Sequence, residues 1–401
     1  MSKVVFCNVP AHGHVNPTLA IVKELVNRGE EVIYYTSEEF KEKIERTGAS
    51  FRSYAAPLTA DTAEMTKNGF DMAYMLMAYN EQIVEPLMAE IKEIAPDYIM
   101  HDALCVWANI CSQKLNIPAI SSIPFLIVNT KSVIMSPLRL LFPTVGMMLS
   151  GFGSLMKYFY HCRKIQKKYG INVYTLLFEA GNYQELNISY TSDKIQPTHA
   201  MLNDSFKFVG ITLPPASKNA VFPYERDETK KMIYISMGTV MSVRMEEFYE
   251  MCFDAFRSEN VQVVLSAGKQ TNLDDLKNIP DNFIVKNFVP QLDILQHTDV
   301  FISHGGMNSI KESFYYGVPI ITIPQSFEQS INANRIEELK AGIYLSPKKL
   351  TAEKLRKTTY RILAEPKQFE NVKNLKNSLI ESGGYKRAVD EIFAFKQKKQ
   401  I

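Results

Sequence analysis

Neither half of this 401-residue chain contains a Gly-x-Gly-x-x-Gly turn, a P-loop lysine motif, or Cys and His at zinc-binding spacing, which removes three common routes to a cofactor or metal. Cysteine is sparse. Cys7, Cys105, Cys111, Cys162 and Cys252 are odd in number, scattered, and mostly set in apolar runs, so buried thiols in a reducing compartment are expected rather than disulfides. Charge imbalance is also missing: 45 Lys and Arg face 43 Asp and Glu, a net charge of +2, which gives no electrostatic reason to bind nucleic acid. The basic end Lys396-Gln397-Lys398-Lys399 reads as a solvated tail. There is no low-complexity tract and no short solenoid repeat. Nor is there a secretory leader pattern, because Met1-Ser2-Lys3 runs straight into the strand-like VVFCNV, and cytoplasmic residence is expected. The least charged stretch, residues 140–156, holds seventeen residues with Pro143 and three glycines. A membrane span needs about 20 residues, so buried core or the wall of an apolar pocket is expected, with loose membrane-surface contact as the remaining alternative.

What is present is an alternation. Short apolar strands are expected at 4–9, 31–36, 98–101, 119–122 and 186–190, and again at 232–237, 261–267, 282–285, 299–303 and 318–324, with helical patterns between them. This is the signature of βαβ units and parallel sheet, and 46% hydrophobic residues can fill two cores of that kind. The Pro-rich stretch after Leu213 interrupts the pattern, which then restarts. The expected organisation is an α/β fold of two Rossmann-like, doubly wound domains facing a central cleft: a first domain at 1–213, a linker at 214–228, a second domain at 229–375, and a helical end at 376–401. Between Met65 and Phe159 the chain is rich in Met, Phe and Tyr, which reads as core packing with some side chains available to line an apolar pocket.

The chemistry concentrates at strand ends. The expected strand 299–303 runs into His304-Gly305-Gly306 and then a helix opening with Asn308 and Ser309, and a helix N-terminus behind glycines can cradle phosphate. Glu312, four residues after Asn308, shares its helix face, and helical side chains lean toward the N-terminus, so its carboxylate can reach a ribose. The next strand ends at Gln325-Ser326-Phe327-Glu328-Gln329, which places Glu328 and Gln329 beside the cradle as partners for sugar hydroxyls. Gly238 and Thr239 follow another strand, where a phosphate contact and simple turn chemistry are equally open. In the first half, His12-Gly13-His14 follows the first strand; from spacing alone it is equally a structural loop or a proton acceptor. Asp102 closes the strand before a helical run and is, by itself, more often a helix N-cap than a partner for an imidazole. Ser121 and Ser122, past the next strand, could contact a ligand or cap a turn.

Val289-Pro290-Gln291, the run His304 to Ser309 with Glu312, and Glu328-Gln329 together resemble the nucleotide-sugar signature of the family 1 UDP-glycosyltransferases, in their bacterial macrolide- and flavonoid-glycosylating branch. Phe288 stands where plant members place a uracil-stacking Trp, and Gly305 and Met307 stand where they carry Cys and Trp. The resemblance implies the GT-B architecture, with the terminal helix crossing back to the first domain. It implies His14 as general base, Asp102 as its partner, His12 in support, and His304 and Gln291 as donor contacts. It also implies inverting, metal-independent transfer of a sugar, glucose first, from a UDP-sugar donor to a hydrophobic small-molecule acceptor, with no cofactor. The expected protein is a monomer without integral membrane association. Alternatives that share the plan are transfer to a lipid acceptor, UDP-sugar epimerisation, and non-catalytic binding of a sugar nucleotide.

Overall fold

The computed structural model describes residues 2–56, 69–127, 151–171, 183–197, 201–213, 224–238, 245–268, 271–365 and 369–401. Two compact units emerge: Met1–Pro214 together with Leu379–Ile401, and Pro215–Ser378. The expected linker at 214–228 lies outside the described residues up to 223.

The first unit is built on seven strands: β1 Lys3–Cys7, β2 Glu31–Thr36, β3 Ser50–Ser53, β4 Tyr98–Asp102, β5 Ala119–Ile123, β6 Leu186–Ser189 and β7 Phe206–Phe208. Every pairing is parallel, in the order β3-β2-β1-β4-β5-β6-β7. Both faces are covered, which is why the central strands read as continuous apolar runs. Alternation splits them. Val5, Cys7 and Ile99 enter one core with helices Gly69–Ile94, Val106–Leu115 and Phe152–Tyr169; Val4, Phe6 and Met100 enter the other with helix Leu19–Asn27 and the terminal helix Gly384–Lys399. Met77 is fully buried in the first core, and Met72, Met75 and Met88 pack against it. All five cysteines are free and buried, and burial raises the thiol pKa of each.

The second unit repeats the plan with β8 Lys231–Ser236, β9 Val261–Ser266, β10 Phe283–Lys286, β11 Val300–Ser303, β12 Ile320–Thr322 and β13 Gly342–Tyr344. Its parallel order is β10-β9-β8-β11-β12-β13. Three strands were absent from the sequence expectation: β3, β7 and β13. Each is an edge strand, short and partly exposed, so it needs no long apolar run.

One expectation is corrected. Lys396 is not part of a solvated tail: it is 7% exposed, and its Nζ donates to Glu30 Oε1 at 2.6 Å. Tyr98 donates to the other Glu30 oxygen at 3.0 Å, and the ammonium lies 4.7 Å from the Phe393 ring centre. This pair fastens the terminal helix to the first sheet, where Ala388, Val389, Ile392 and Phe395 complete the core. Of the uncharged stretch 140–156, residues 140–150 lie outside the described residues; in the remainder Gly151 is buried while Phe152 and Met156 are 62% and 55% exposed. Among the described residues no helix is long and apolar enough to cross a membrane.

Removing one member of a buried ion pair strands the other, at a typical cost of about 3–5 kcal/mol. Lys396→Met should lower urea-unfolding stability by that order, and pairing it with Glu30→Met should recover part of the loss. A single-variant loss below about 1 kcal/mol, as for a surface pair, would contradict this role.

Candidate active site

In each sheet the order of winding reverses once. From β1 the chain builds outward through β2 to β3, then returns to add β4 on the other side; from β8 it builds to β10, then returns to add β11. Such reversals send the two neighbouring loops apart and leave a crevice beyond the strands' C-terminal ends. Of the predicted chemical residues, His14, Asp102, Gly238 and His304 follow the strands at these two reversals.

In the first unit, β1 and β4 align Cys7 with His101, so the loop after β1 meets the end of β4. Helix His12–Val15 turns His14 toward Asp102, and the Nδ1 to Oδ2 distance is 2.7 Å. The aspartate is sealed from solvent, while the imidazole keeps 19% of its side-chain surface exposed. An ionised carboxylate only accepts, so Nδ1 carries the proton and Nε2 holds the lone pair. Asp102 caps no helix: the next one starts at Val106, and Oδ1 accepts from the Leu104 N–H at 2.8 Å, which fixes the carboxylate plane.

The histidine turn is itself held by a directional chain. Asn8 Nδ2 donates to the His14 carbonyl at 3.2 Å and to the Tyr34 hydroxyl at 2.7 Å. Thr18 Oγ1 gives its proton to the Val15 carbonyl at 2.8 Å, so Tyr34 donates to Thr18 across the 2.7 Å between them. None of these three was singled out from sequence; the only trace was an Asn closing an otherwise apolar strand. His101 adds a second brace. Gln184 Nε2 donates to its Nε2 at 3.0 Å, leaving Nδ1–H for the Asp102 carbonyl at 2.9 Å, and burial lowers its pKa, which keeps it neutral.

The His12 ring packs edge-on to Phe40 at 4.9 Å between centres. Ser121 and Ser122 are corrected as ligand contacts. Both are fully buried within β5, and Ser122 Oγ is bonded to the Tyr190 hydroxyl at 2.5 Å. A central strand covered on both faces does not present hydroxyls to solvent.

In the second unit, Ser236, Ser303 and Thr322 lie side by side at the ends of β8, β11 and β12, so Gly238, His304–Gly306 and Gln325–Gln329 share one edge. The His304 imidazole is wedged between two glycines. A Cβ on Gly238 would lie 2.5 Å from its Cε1, and one on Gly306 would lie 2.5 Å from its Nε2; Gly238 also holds a φ of +79°. Burial pushes the His304 pKa down to about 4, with a hydrogen bond to the Ser236 backbone acting the other way, so the ring is neutral at pH 7. Gly306 is the N-cap of helix Met307–Tyr316 and supplies no capping side chain. The first-turn N–H groups, at Met307, Asn308 and Ser309, have no intrahelical acceptor and sit at the positive end of the helix. Asn308 and Ser309 are half-buried there.

Glu312 accepts from Gln291 Nε2, and Gln291 in turn accepts from the Tyr234 hydroxyl at 3.1 Å. Burial raises the Glu312 pKa, opposed by the Gln291 bond and the Lys311 charge. Phe288 is 71% exposed, an open aromatic face. Val289 is buried, so its side chain is corrected to a packing residue that could reach a ligand only through its backbone. Glu328 is exposed and accepts from Asn332, whose Nδ2 also donates to the Gly305 carbonyl at 3.0 Å and ties the following helix to the cradle. Gln329 is buried, and its amide oxygen accepts from the Gln325 N–H at 2.8 Å, so that oxygen holds the loop rather than a sugar. Thr239 lies outside the described residues. A cavity of about 520 Å³ near Lys340, Arg361 and Glu370 opens at the opposite, N-terminal edge of this sheet, at the start of β13. It is unconnected with the chemical residues.

Residues 252–387 match the family described as Erythromycin biosynthesis protein CIII-like, C-terminal domain. Over 98% of its length the chain is 32% identical to NDP-glycosyltransferase YjiC of Bacillus subtilis (strain 168), covering 97% of that protein. It is 28% identical to demethyllactenocin mycarosyltransferase of Streptomyces fradiae, over 98% of this chain and 86% of the other. The solved glycotransferase of kitacinnamycin superposes with a TM-score of 0.84 at 24% identity, covering 98% of both chains. With strand order, crevice residues and these likenesses in agreement, the chain belongs to the family 1 bacterial glycosyltransferases, with the GT-B fold. It is a glycosyltransferase enzyme.

The wedge geometry makes two predictions. Gly238→Ala forces a left-handed φ and a clash on the imidazole, and strained backbone of this kind costs about 1–3 kcal/mol; thermal unfolding should show the loss, and an unchanged midpoint would contradict it. The unfolded His304 titrates near 6.5 and the folded one near about 4, so the unfolded chain binds the proton more readily. The stability this gives is present above pH 6.5 and is lost as pH falls toward 4, and a His304→Asn variant should lose less stability over that window.

Proposed function

We propose that this enzyme transfers a sugar, glucose in the first instance, from UDP to a hydroxyl of a hydrophobic small molecule, with inversion and without a divalent metal. The observation that carries the proposal is the hydrogen bond from His14 to the sealed Asp102, which leaves a partly exposed imidazole with its lone pair on Nε2. In the proposed step, Nε2 takes the acceptor hydroxyl proton while the oxygen forms its bond to the anomeric carbon. The bond from that carbon to the UDP oxygen breaks, and the electron pair leaves with UDP. Asp102 stabilises the imidazolium that forms.

The departing diphosphate gains negative charge, which preorganised donors stabilise most where water is excluded. The first-turn N–H groups of helix Met307–Tyr316 and a neutral His304 suit that task, since a neutral ring still donates through one nitrogen. Glu312, positioned by Gln291, suits a ribose bearing both hydroxyls and so favours UDP over a deoxyribose donor. The exposed Phe288 face suits stacking on a base. Exposed Glu328 is available to sugar hydroxyls. The name of the Bacillus relative specifies a nucleoside diphosphate without the base, and that of the Streptomyces relative specifies demethyllactenocin as acceptor, which supports a natural-product acceptor here.

The test is incubation with UDP-glucose and a panel of phenols, macrolides and lipids in EDTA, following UDP release and glycoside mass. His14→Ala should reduce transfer by about 10² to 10⁴, the usual cost of losing a general base, with UDP affinity unchanged. Near-normal turnover in that variant would remove His14 from the role. Products with lipids alone would redirect the acceptor assignment.

A further inference from the structure

Seven large hydrophobic side chains are substantially exposed among the described residues, and three of them, Phe152, Met156 and Tyr160, stand on one helix, at 62%, 55% and 63% exposure. On helix Phe152–Tyr169, at about 100° per residue, these three share an arc of roughly 80° with Arg163 and Lys167. The buried residues Tyr158, Cys162, Ile165 and Tyr169 occupy the opposite face. The helix contains no acidic residue and five cations, although the whole chain carries a net charge of only +2. The helix therefore carries a local excess of positive charge.

Ion pairs divide the cations. Lys164 and His161 reach Glu81, and Lys168 reaches Glu85, on helix Gly69–Ile94, which holds the helix in place from one flank. Lys157 sits 5.3 Å from the Tyr74 ring centre. Arg163 and Lys167, on the exposed stripe itself, have no ion-pair partner among the described residues, and both are exposed. The stripe thus runs from large apolar and aromatic groups at its N-terminal end to unpaired cations about 5 to 10 Å beyond Tyr160, at about 1.5 Å per residue.

We infer that this stripe is an interfacial surface that docks on an anionic phospholipid membrane. A bilayer surface is the partner whose polarity changes with depth in the same sense. Phe152, Met156 and Tyr160 enter the boundary between headgroups and acyl chains, where aromatic side chains are favoured. Arg163 and Lys167 lie among anionic headgroups, their aliphatic stems lengthening the apolar contact. The stripe carries two cations and its helix has no acidic residue, which suits an anionic surface. None of these five residues is among those placed in the candidate site, and the inference does not depend on the identity of the acceptor.

Sedimentation of the full-length protein with vesicles tests it. At low salt the protein should sediment with vesicles of phosphatidylcholine mixed with phosphatidylglycerol, but not with phosphatidylcholine alone, and added salt should release it. Each surface cation contributes roughly fivefold to such binding, so Arg163→Gln with Lys167→Gln should weaken it about 30-fold. The triple variant Phe152→Ser, Met156→Ser, Tyr160→Ser should abolish it, with an unfolding midpoint no lower than the parent's, since these side chains are exposed. Equal binding to both vesicle types, no binding to either, or variants that bind like the parent would overturn the inference. So would self-association without vesicles that the triple variant removes, which would make a second copy of the chain the occupant.

Discussion

Each unit depends on one constraint: a parallel sheet whose winding reverses beside its first strand. The reversal parts the loops after β1 and β4, and again after β8 and β11, where neighbouring strands of the described sheets lead in opposite directions. A polar group placed there can meet a ligand without disturbing either core. Ser121 and Ser122, in β5 of the first sheet, are instead enclosed by the fold. The location of His14, Asp102, Gly238 and His304 follows from topology before any chemistry is considered.

Burial then gives one residue type two tasks. His304, enclosed by Gly238 and Gly306, is kept neutral at pH 7, so it adds a dipole to the cradle without a full charge. His14 shares a hydrogen bond with a carboxylate that has no contact with water, and this bond strengthens when the ring takes a proton. The chain of Asn8, Tyr34 and Thr18 keeps that turn in place, and the bond from Leu104 keeps the carboxylate from turning. Such bracing limits the motion that a catalytic pair can tolerate.

The central strands were legible because both faces are buried and the apolar runs are unbroken. Edge strands β3, β7 and β13 were not, since a three- or four-residue strand with one open side leaves little pattern. His14, Asp102 and the His304 to Glu312 segment were visible as strand-end polar groups, and the family resemblance assigned their roles. Positioning groups escaped notice because their partners lie far along the chain: Tyr34 is 26 residues from Asn8, and Asn332 is 27 from Gly305. The serines of β5 were misread for the opposite reason, since sequence gives polarity but not depth. Lys396 shows the same limit, a lysine in a basic run that proves to be a buried anchor.

UDP is expected to bind at the reversal point of the second sheet. Hydrogen–deuterium exchange of the whole protein with and without UDP tests it most directly. Protection is predicted in the peptides that end β8 and β11 and open helix Met307–Tyr316, covering Gly238 and His304 to Glu312. Protection confined to the cavity near Lys340, Arg361 and Glu370, at the far edge of the same sheet, would contradict it.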